Sequence, residues 1–170
     1  KICIFTTSRA DFGLLRHFIN NISKQNKIKS FVIATGTHLE KKHGYTIREI
    51  EKENIKVHKK IKIFLDGDTP KKMSKSIAIG MIKYNKILEE INPDLVVVLG
   101  DRYELLPICY SSTFLNIPIA HFNGGETSEG SIDDVIRHCV TKMSHLHFVS
   151  TDIYKKKVLN MGEAPNRVFN

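Results

Sequence analysis

A chain of 170 residues, 41% hydrophobic and 26% charged, is long enough for one domain with a proper core. It contains nothing like the roughly 20 consecutive apolar residues of a bilayer span, and the apolar stretch at 1–5 is too short for a secretory leader, so a cytoplasmic protein with no membrane partner is expected. The formal charge of +8 lies mostly on lysines between Lys41 and Lys75; without Arg-rich clusters, aromatic runs or zinc spacings it reads as a solvated surface able to steer a small anion, not as a nucleic-acid interface.

Short runs rich in Ile and Val alternate with helical patterns, the mark of repeated βα units and a mainly parallel sheet. The first of six predicted strands is 2–6. A helix from Phe12 follows, with Phe12, Leu15, Ile19 and Ile22 at helical spacing and Asp11 as N-cap. The second strand is 31–35, then a loop at 36–44 and a short charged helix at 45–53 ended by Asn54. Residues 56–63 alternate less cleanly and carry lysines, which predicts a third strand near a sheet edge.

After an Asp66-Gly67-Asp68 turn, the stripe Ile77, Met81, Tyr84, Leu88 and Ile91 predicts the longest helix, stopped by Asn92-Pro93. The uninterrupted apolar run 95–99 predicts a central strand covered on both faces. A helix at 103–115, a strand at 117–121, a helix at 132–144, a strand at 146–149 and a helix at 151–161 complete the series. Residues 167–170 read as the start of a further strand with no partner sequence after it, which suggests a truncated chain. The fold class is therefore α/β, a Rossmann-like doubly wound parallel sheet. Cys3, Cys109 and Cys139 sit among apolar neighbours and read as small buried hydrophobes in a reducing compartment.

In an open parallel sheet, ligands bind outside the carboxyl ends of the strands. Those ends carry Thr7-Ser8-Arg9-Ala10-Asp11, Thr35-Gly36-Thr37-His38, Gly100-Asp101-Arg102 and residues 121–126. Arg9 and Arg102, with backbone amides ahead of helices, suit a phosphate-bearing ligand, although such arginines also form ordinary surface ion pairs. Asp101, Glu126, Glu129, Asp133 and Asp134 supply carboxylates for acid-base chemistry on a sugar, while Asp133 or Asp134 could equally complement a helix dipole. Neither G-x-G-x-x-G after the first strand nor G-x-x-x-x-G-K-[ST] is present, which disfavours NAD and ATP chemistry. His121, His138, His145 and His147 lack a thiolate or H-E-x-x-H pattern and read as core or surface histidines, with no metal and no cofactor expected.

Thr7 through Asp11, Leu99-Gly100-Asp101-Arg102-Tyr103-Glu104, His121 through Glu126, and Ile132-Asp133-Asp134 through Arg137-His138 to Thr141-Lys142 together resemble the hydrolysing UDP-N-acetylglucosamine 2-epimerases, in order and spacing across the chain. The resemblance is closer to the branch of sialic and legionaminic acid biosynthesis, which releases N-acetylmannosamine or a bacillosamine-derived relative. It implies the N-terminal half of a GT-B fold over residues 1–170, with the family's C-terminal nucleotide-binding domain absent, and a homo-oligomer. It also implies a UDP-sugar substrate that passes through a 2-acetamidoglucal intermediate.

The resemblance places Asp101, Asp133 and Glu126 in catalytic roles, and Arg9, Asp11, His38, Arg102, Asn123, Gly124, Gly125, Arg137 and His138 in substrate binding. Asn123 departs from family members that carry a glutamate just before the Gly-Gly pair. Either it only positions substrate while Glu126 or a residue of the second domain moves the proton, or this branch divides the steps differently. The alternatives are a GT-B glycosyltransferase half and a non-catalytic nucleotide-sugar binding module.

Overall fold

The computed structural model describes residues 1–63, 69–129 and 131–170, so the expected Asp66-Gly67-Asp68 turn lies outside the described residues. Every strand pairing is parallel, in the order β3 (Val57–Ile61), β2 (Ser30–Thr35), β1 (Ile2–Thr6), β4 (Leu95–Leu99), β5 (Ile119–Phe122), β6 (Leu146–Phe148) and β7 (Val168–Phe169). The order reverses at β1, which lies between β2 and β4, so the crevice of a doubly wound sheet opens beyond Thr6 and Leu99.

Helices cover both faces because parallel strands are apolar on both sides. On one face, Phe12, Leu15 and Ile19 of α1 (Arg9–Ser23) and Ile47 and Ile50 of α2 (Ile47–Lys52) pack on Ile4, Val32 and Val97. On the other, α3 (Pro70–Ile91), α4 (Leu105–Phe114) and α5 (Ile132–Met143) bring Leu88, Ile108 and Val140 onto Phe5, Val96 and Val98. A smaller cluster joins Val158 of α6 (Asp152–Asn160) to Val149 and Val168.

Several boundaries differ from those expected, each for a local physical reason. The first helix begins at Arg9, capped by Ser8, whose hydroxyl accepts from the Asp11 amide; Asp11 is not the cap but the first-turn acid, whose carboxylate accepts from the Ser8 hydroxyl and the Thr7 amide. The 36–44 loop contains two short 3-10 turns, Gly36–Leu39 and Lys41–His43. The fifth strand starts at Ile119 because Pro118 has no N–H to give the ladder, although its carbonyl accepts from Val96.

The start of a further strand expected at 167–170 is β7, which pairs with β6 as a seventh strand beyond the six predicted. The third strand is at the edge, as its lysines predicted. On α3 the buried side runs through Ser76, Gly80, Tyr84 and Leu88, whereas Met81 is 40% exposed. A side chain on Gly80 would sit 2.9 Å from Cγ of Pro107, so a small residue lets α3 and α4 meet closely. Cys139 is exposed on α5, unlike the buried Cys3 and Cys109. Periodicity marks which positions are apolar; close helix contact selects which small ones are buried.

Candidate active site

Arg137 is the hub of the carboxyl-end crevice. Its α5 turn faces the loops after β4 and β5, and its guanidinium is almost wholly buried. One arm donates to the Asn123 carbonyl at 2.8 Å and to Glu126 Oε2 at 3.3 Å. The other donates to Asp101 Oδ2 and, at 3.1 Å, to the Ser128 hydroxyl. The planar fork of an arginine serves two carboxylates in this way; a lysine offers one point charge.

Serines complete the cluster. Ser128 donates its hydroxyl to Asp101 Oδ2 at 3.3 Å and its amide to Asp134 Oδ1 at 3.1 Å. Ser150 donates to Glu126 Oε1 at 2.9 Å. Ser131 caps α5 and donates to Asp133 Oδ2 at 2.9 Å, so Asp133 lies in the first turn with one carboxylate oxygen held. His138 pairs with Asp134 at 3.5 Å one helical turn away. Burial lifts the Asp101 carboxyl above the ordinary aspartate value; the Arg137 guanidinium opposes that rise and the neighbouring Asp133 charge adds to it.

The expected anion contacts sort differently. Arg9 is exposed and pairs with Glu49 at 3.0 Å. Arg102 donates at 2.8 Å to Glu104, a carboxylate with no exposed surface. Burial raises the Glu104 carboxyl, and Arg102 holds it down. Asp11 accepts from the Thr7 amide at 3.1 Å and from the Thr7 and Ser8 hydroxyls, which makes it a brace for the loop after β1. Its charge nevertheless acts on Asp101, Arg102, Glu104 and His38, so the ends of β1, β2 and β4 do share one electrostatic neighbourhood.

His38 offers no surface to a ligand. It is fully buried, with Nε2 at 2.9 Å from the Thr6 hydroxyl and Nδ1 at 2.8 Å from that of Thr46, and burial pushes its pKa down to about 4. The Gly-Gly pair likewise meets its own protein. A Cβ on Gly124 would lie 3.1 Å from His121 Nδ1 and from Thr141 Oγ1. One on Gly125, at φ +77°, would lie 2.7 Å from the Tyr154 carbonyl of α6. Asn123 adopts a left-handed φ of 60°, which asparagine tolerates, and its backbone ties the loop to Phe148 and Arg137.

Sequence reasoning missed Ser128, Ser131 and Ser150, whereas Glu104 was already read within the motif after β4. Ser131 was legible as a cap two residues before Asp133; for Ser128 and Ser150 no local signal exists, because they reach the cluster from loops.

The family described as UDP-N-acetylglucosamine 2-epimerase matches residues 20–170. A Campylobacter jejuni protein named GDP/UDP-N,N'-diacetylbacillosamine 2-epimerase (hydrolyzing) is 45% identical over 170 residues, all of this chain and 44% of its own length. An Escherichia coli protein named polysialic acid biosynthesis protein P7 is 35% identical over 170 residues, again 44% of its length.

Among solved structures, a UDP-GlcNAc 2-epimerase from Neisseria meningitidis bound to UDP-GlcNAc superposes with a TM-score of 0.87 at 20% identity, over 99% of this chain and 44% of that one. The Methanocaldococcus jannaschii enzyme in complex with UDP-GlcNAc and UDP gives 0.86 at 24% identity, over 99% and 45%. These two support the fold, and the chain corresponds to the N-terminal half of such structures. The chain spans less than half the length of the curated relatives it matches. With the matched family covering most of its length, the chain belongs to the UDP-N-acetylglucosamine 2-epimerase family.

Proposed function

We propose that the complete protein is a hydrolysing UDP-sugar 2-epimerase, with a UDP-N,N'-diacetylbacillosamine type of substrate favoured over UDP-N-acetylglucosamine by the 45% identical relative of that name. The observation that carries the reading is the Arg137 cluster, which gathers Asp101 and Glu126 at the crevice beside Asp133.

In the reaction, the C2–H and C1–O bonds of the sugar break, releasing UDP and a proton and leaving a 2-acetamidoglucal. Water then adds its hydroxyl at C1 and a proton returns to C2 on the opposite face. The C2 hydrogen is not next to a carbonyl, so departure of the diphosphate must make C1 electron-poor as the proton leaves.

Both oxygens of Glu126 are engaged, by Arg137 and by Ser150. Among the described residues, Asp101 and Asp133 are each held through Oδ2, which leaves Oδ1 for substrate. These two acids are therefore assigned the proton transfers, with Glu126 holding Arg137. Burial raises the Asp101 carboxyl, which makes it a stronger base than an ordinary aspartate. Arg102 pairs with Glu104 through one guanidinium nitrogen and stays one-third exposed, so its open side is assigned to the departing diphosphate. A hollow of about 690 Å³, lined by Lys41, Lys42, Lys60 and Lys62 with Glu40 and Tyr45, carries a net positive charge that draws anions toward the ends of β2 and β3, although Lys60 and Lys62 are paired with Glu51 and Glu40.

The functional unit in this reading is a homo-oligomer in the cytoplasm, completed by a second, nucleotide-holding domain. Exposed Met81, Ile82, Tyr110, Phe114, Ile132 and Val135 on α3, α4 and α5 supply an apolar face for a second copy. Among the described residues no helix is long and apolar enough to cross a membrane.

The test is to incubate the complete protein with each UDP-sugar in deuterated water and follow UDP release together with deuterium at C2 of the free sugar. Release with label at C2 supports the epimerase; release without label, or glycosyl transfer to an acceptor, supports the glycosyltransferase reading. Saturable binding with no product supports a binding module.

A further inference from the structure

We propose that His121 is a positioning residue for Asp101: its ring ties the turn that precedes Asp101 to the turn of α5 that presents Arg137. This rests on the epimerase reading for its kinetic consequence, but its geometry stands alone.

His121 is fully buried on β5 and touches three parts of the site. Its Nε2 lies 2.8 Å from the Gly100 carbonyl. A carbonyl only accepts, so Nε2 carries the hydrogen and Nδ1 is left with a lone pair. Nδ1 meets the Thr141 hydroxyl at 3.2 Å, and the same hydroxyl lies 2.9 Å from the Arg137 carbonyl, so its single hydrogen is shared between these two acceptors. Gly124, without a side chain, packs against the same ring edge.

One ring thus joins the loops after β4 and β5 to α5, the three segments from which Asp101, Glu126 and Arg137 reach one another. Gly100 holds a left-handed φ of 88°, so its carbonyl needs a fixed partner if Asp101 is to keep its aim at the guanidinium. Burial pushes the His121 pKa down to about 4, which keeps the ring neutral and the assigned donor in place near neutral pH. The charged or titratable groups acting on it are Arg137 of α5 and His147 of β6, the latter paired with Glu163.

The experiment compares wild type with His121→Phe, His121→Gln and Thr141→Val in the complete protein. Aspartate carboxyls are labelled with carbon-13 and titrated by NMR, and Asp101→Asn identifies the Asp101 signal. In His121→Phe the Asp101 midpoint is expected to rise as Arg137 loses its grip, and kcat for UDP release to fall on the order of tenfold or more with KM within about twofold. His121→Gln, whose amide reaches the Gly100 carbonyl, is expected to restore both. An unmoved Asp101 midpoint in His121→Phe, or equal impairment in Phe and Gln variants, overturns the proposal. If His121→Phe shows no cooperative unfolding, Thr141→Val decides, since it removes only the hydroxyl link, and an unmoved midpoint there again overturns it. Wild-type protein that turns over no UDP-sugar sinks the epimerase reading alone, because the NMR readout needs no turnover.

Discussion

Asp101 accepts a hydrogen bond from Arg137 although 36 positions separate them in the chain, and the same guanidinium reaches Glu126 with its other arm. One cation therefore sets the distance between two acids of the crevice. Its side chain is 6% exposed, against 22% for Asp101 and 26% for Glu126, so it is the desolvated member on which both depend.

Replacing Arg137 by alanine leaves two part-buried carboxylates without their counter-ion, a loss of about 3 kcal/mol by analogy with broken buried pairs. A lower urea midpoint with an unchanged slope is expected, together with loss of UDP release. Arg137→Lys is expected to recover stability in part and activity hardly at all, because an ammonium cannot fork between Asp101 and Glu126. Full activity in the lysine variant would remove the fork from the account.

Asp101→Asn is nearly isosteric and keeps a partner for Ser128, so the fold is expected to survive with its circular dichroism unchanged. If Asp101 moves a proton, the rate of UDP release falls by about 10²- to 10⁴-fold. Near-normal turnover would take Asp101 out of the reaction. In wild type, the raised Asp101 carboxyl predicts that the acid limb of kcat/KM lies above the ordinary aspartate range.

His38 and His121 are both buried neutral, with pKa values lowered from 6.5 to about 4. The unfolded chain takes up protons on these rings below about pH 6.5 and the folded chain does so only near pH 4. Stability from their neutral form is therefore complete above pH 6.5 and is lost as the pH falls toward 4, by on the order of a few kcal/mol in all. Thermal melts across that window are expected to show a steady drop in Tm. The drop should be smaller in a His38→Gln variant, which cannot take up the proton; an equal drop would exclude His38 as a contributor.

Gly125→Ala combines a left-handed backbone with a Cβ 2.7 Å from the Tyr154 carbonyl, so α6 must shift or the loop must unwind. A cost of about 1 to 3 kcal/mol is expected, read as a lower Tm. A variant as stable as wild type would show that the loop has room that the close approach to α6 denies it.

Much of the architecture was legible locally. Apolar runs such as 95–99 can be buried on both faces only in a parallel sheet, and helical spacing of Phe12, Leu15 and Ile19 identifies the side that meets it. The lysines of β3 marked an edge for the same kind of reason, since charge on a strand is tolerated where one side stays in water. Even the site's rim was readable, because strand ends alone bring the segments at Thr7, His38, Asp101 and Asn123 together.

Which polar group serves which partner was a different matter. Strand-end position singled out Arg9 and Arg102 as anion contacts and the resemblance added Arg137, yet folding exposes the first, pairs the second with buried Glu104 and places the third between Asp101 and Glu126. His38 and the Gly-Gly pair, expected at a ligand, turn inward to hydroxyls and backbone. The sequence by itself determined the alternation of elements and the residues carried to the crevice, because those follow from local periodicity and chain direction. Only the tertiary structure decided the pairings, because hydrogen bonds and close approaches form or fail within a few tenths of an ångström, between residues whose separation in the chain says nothing about their separation in space.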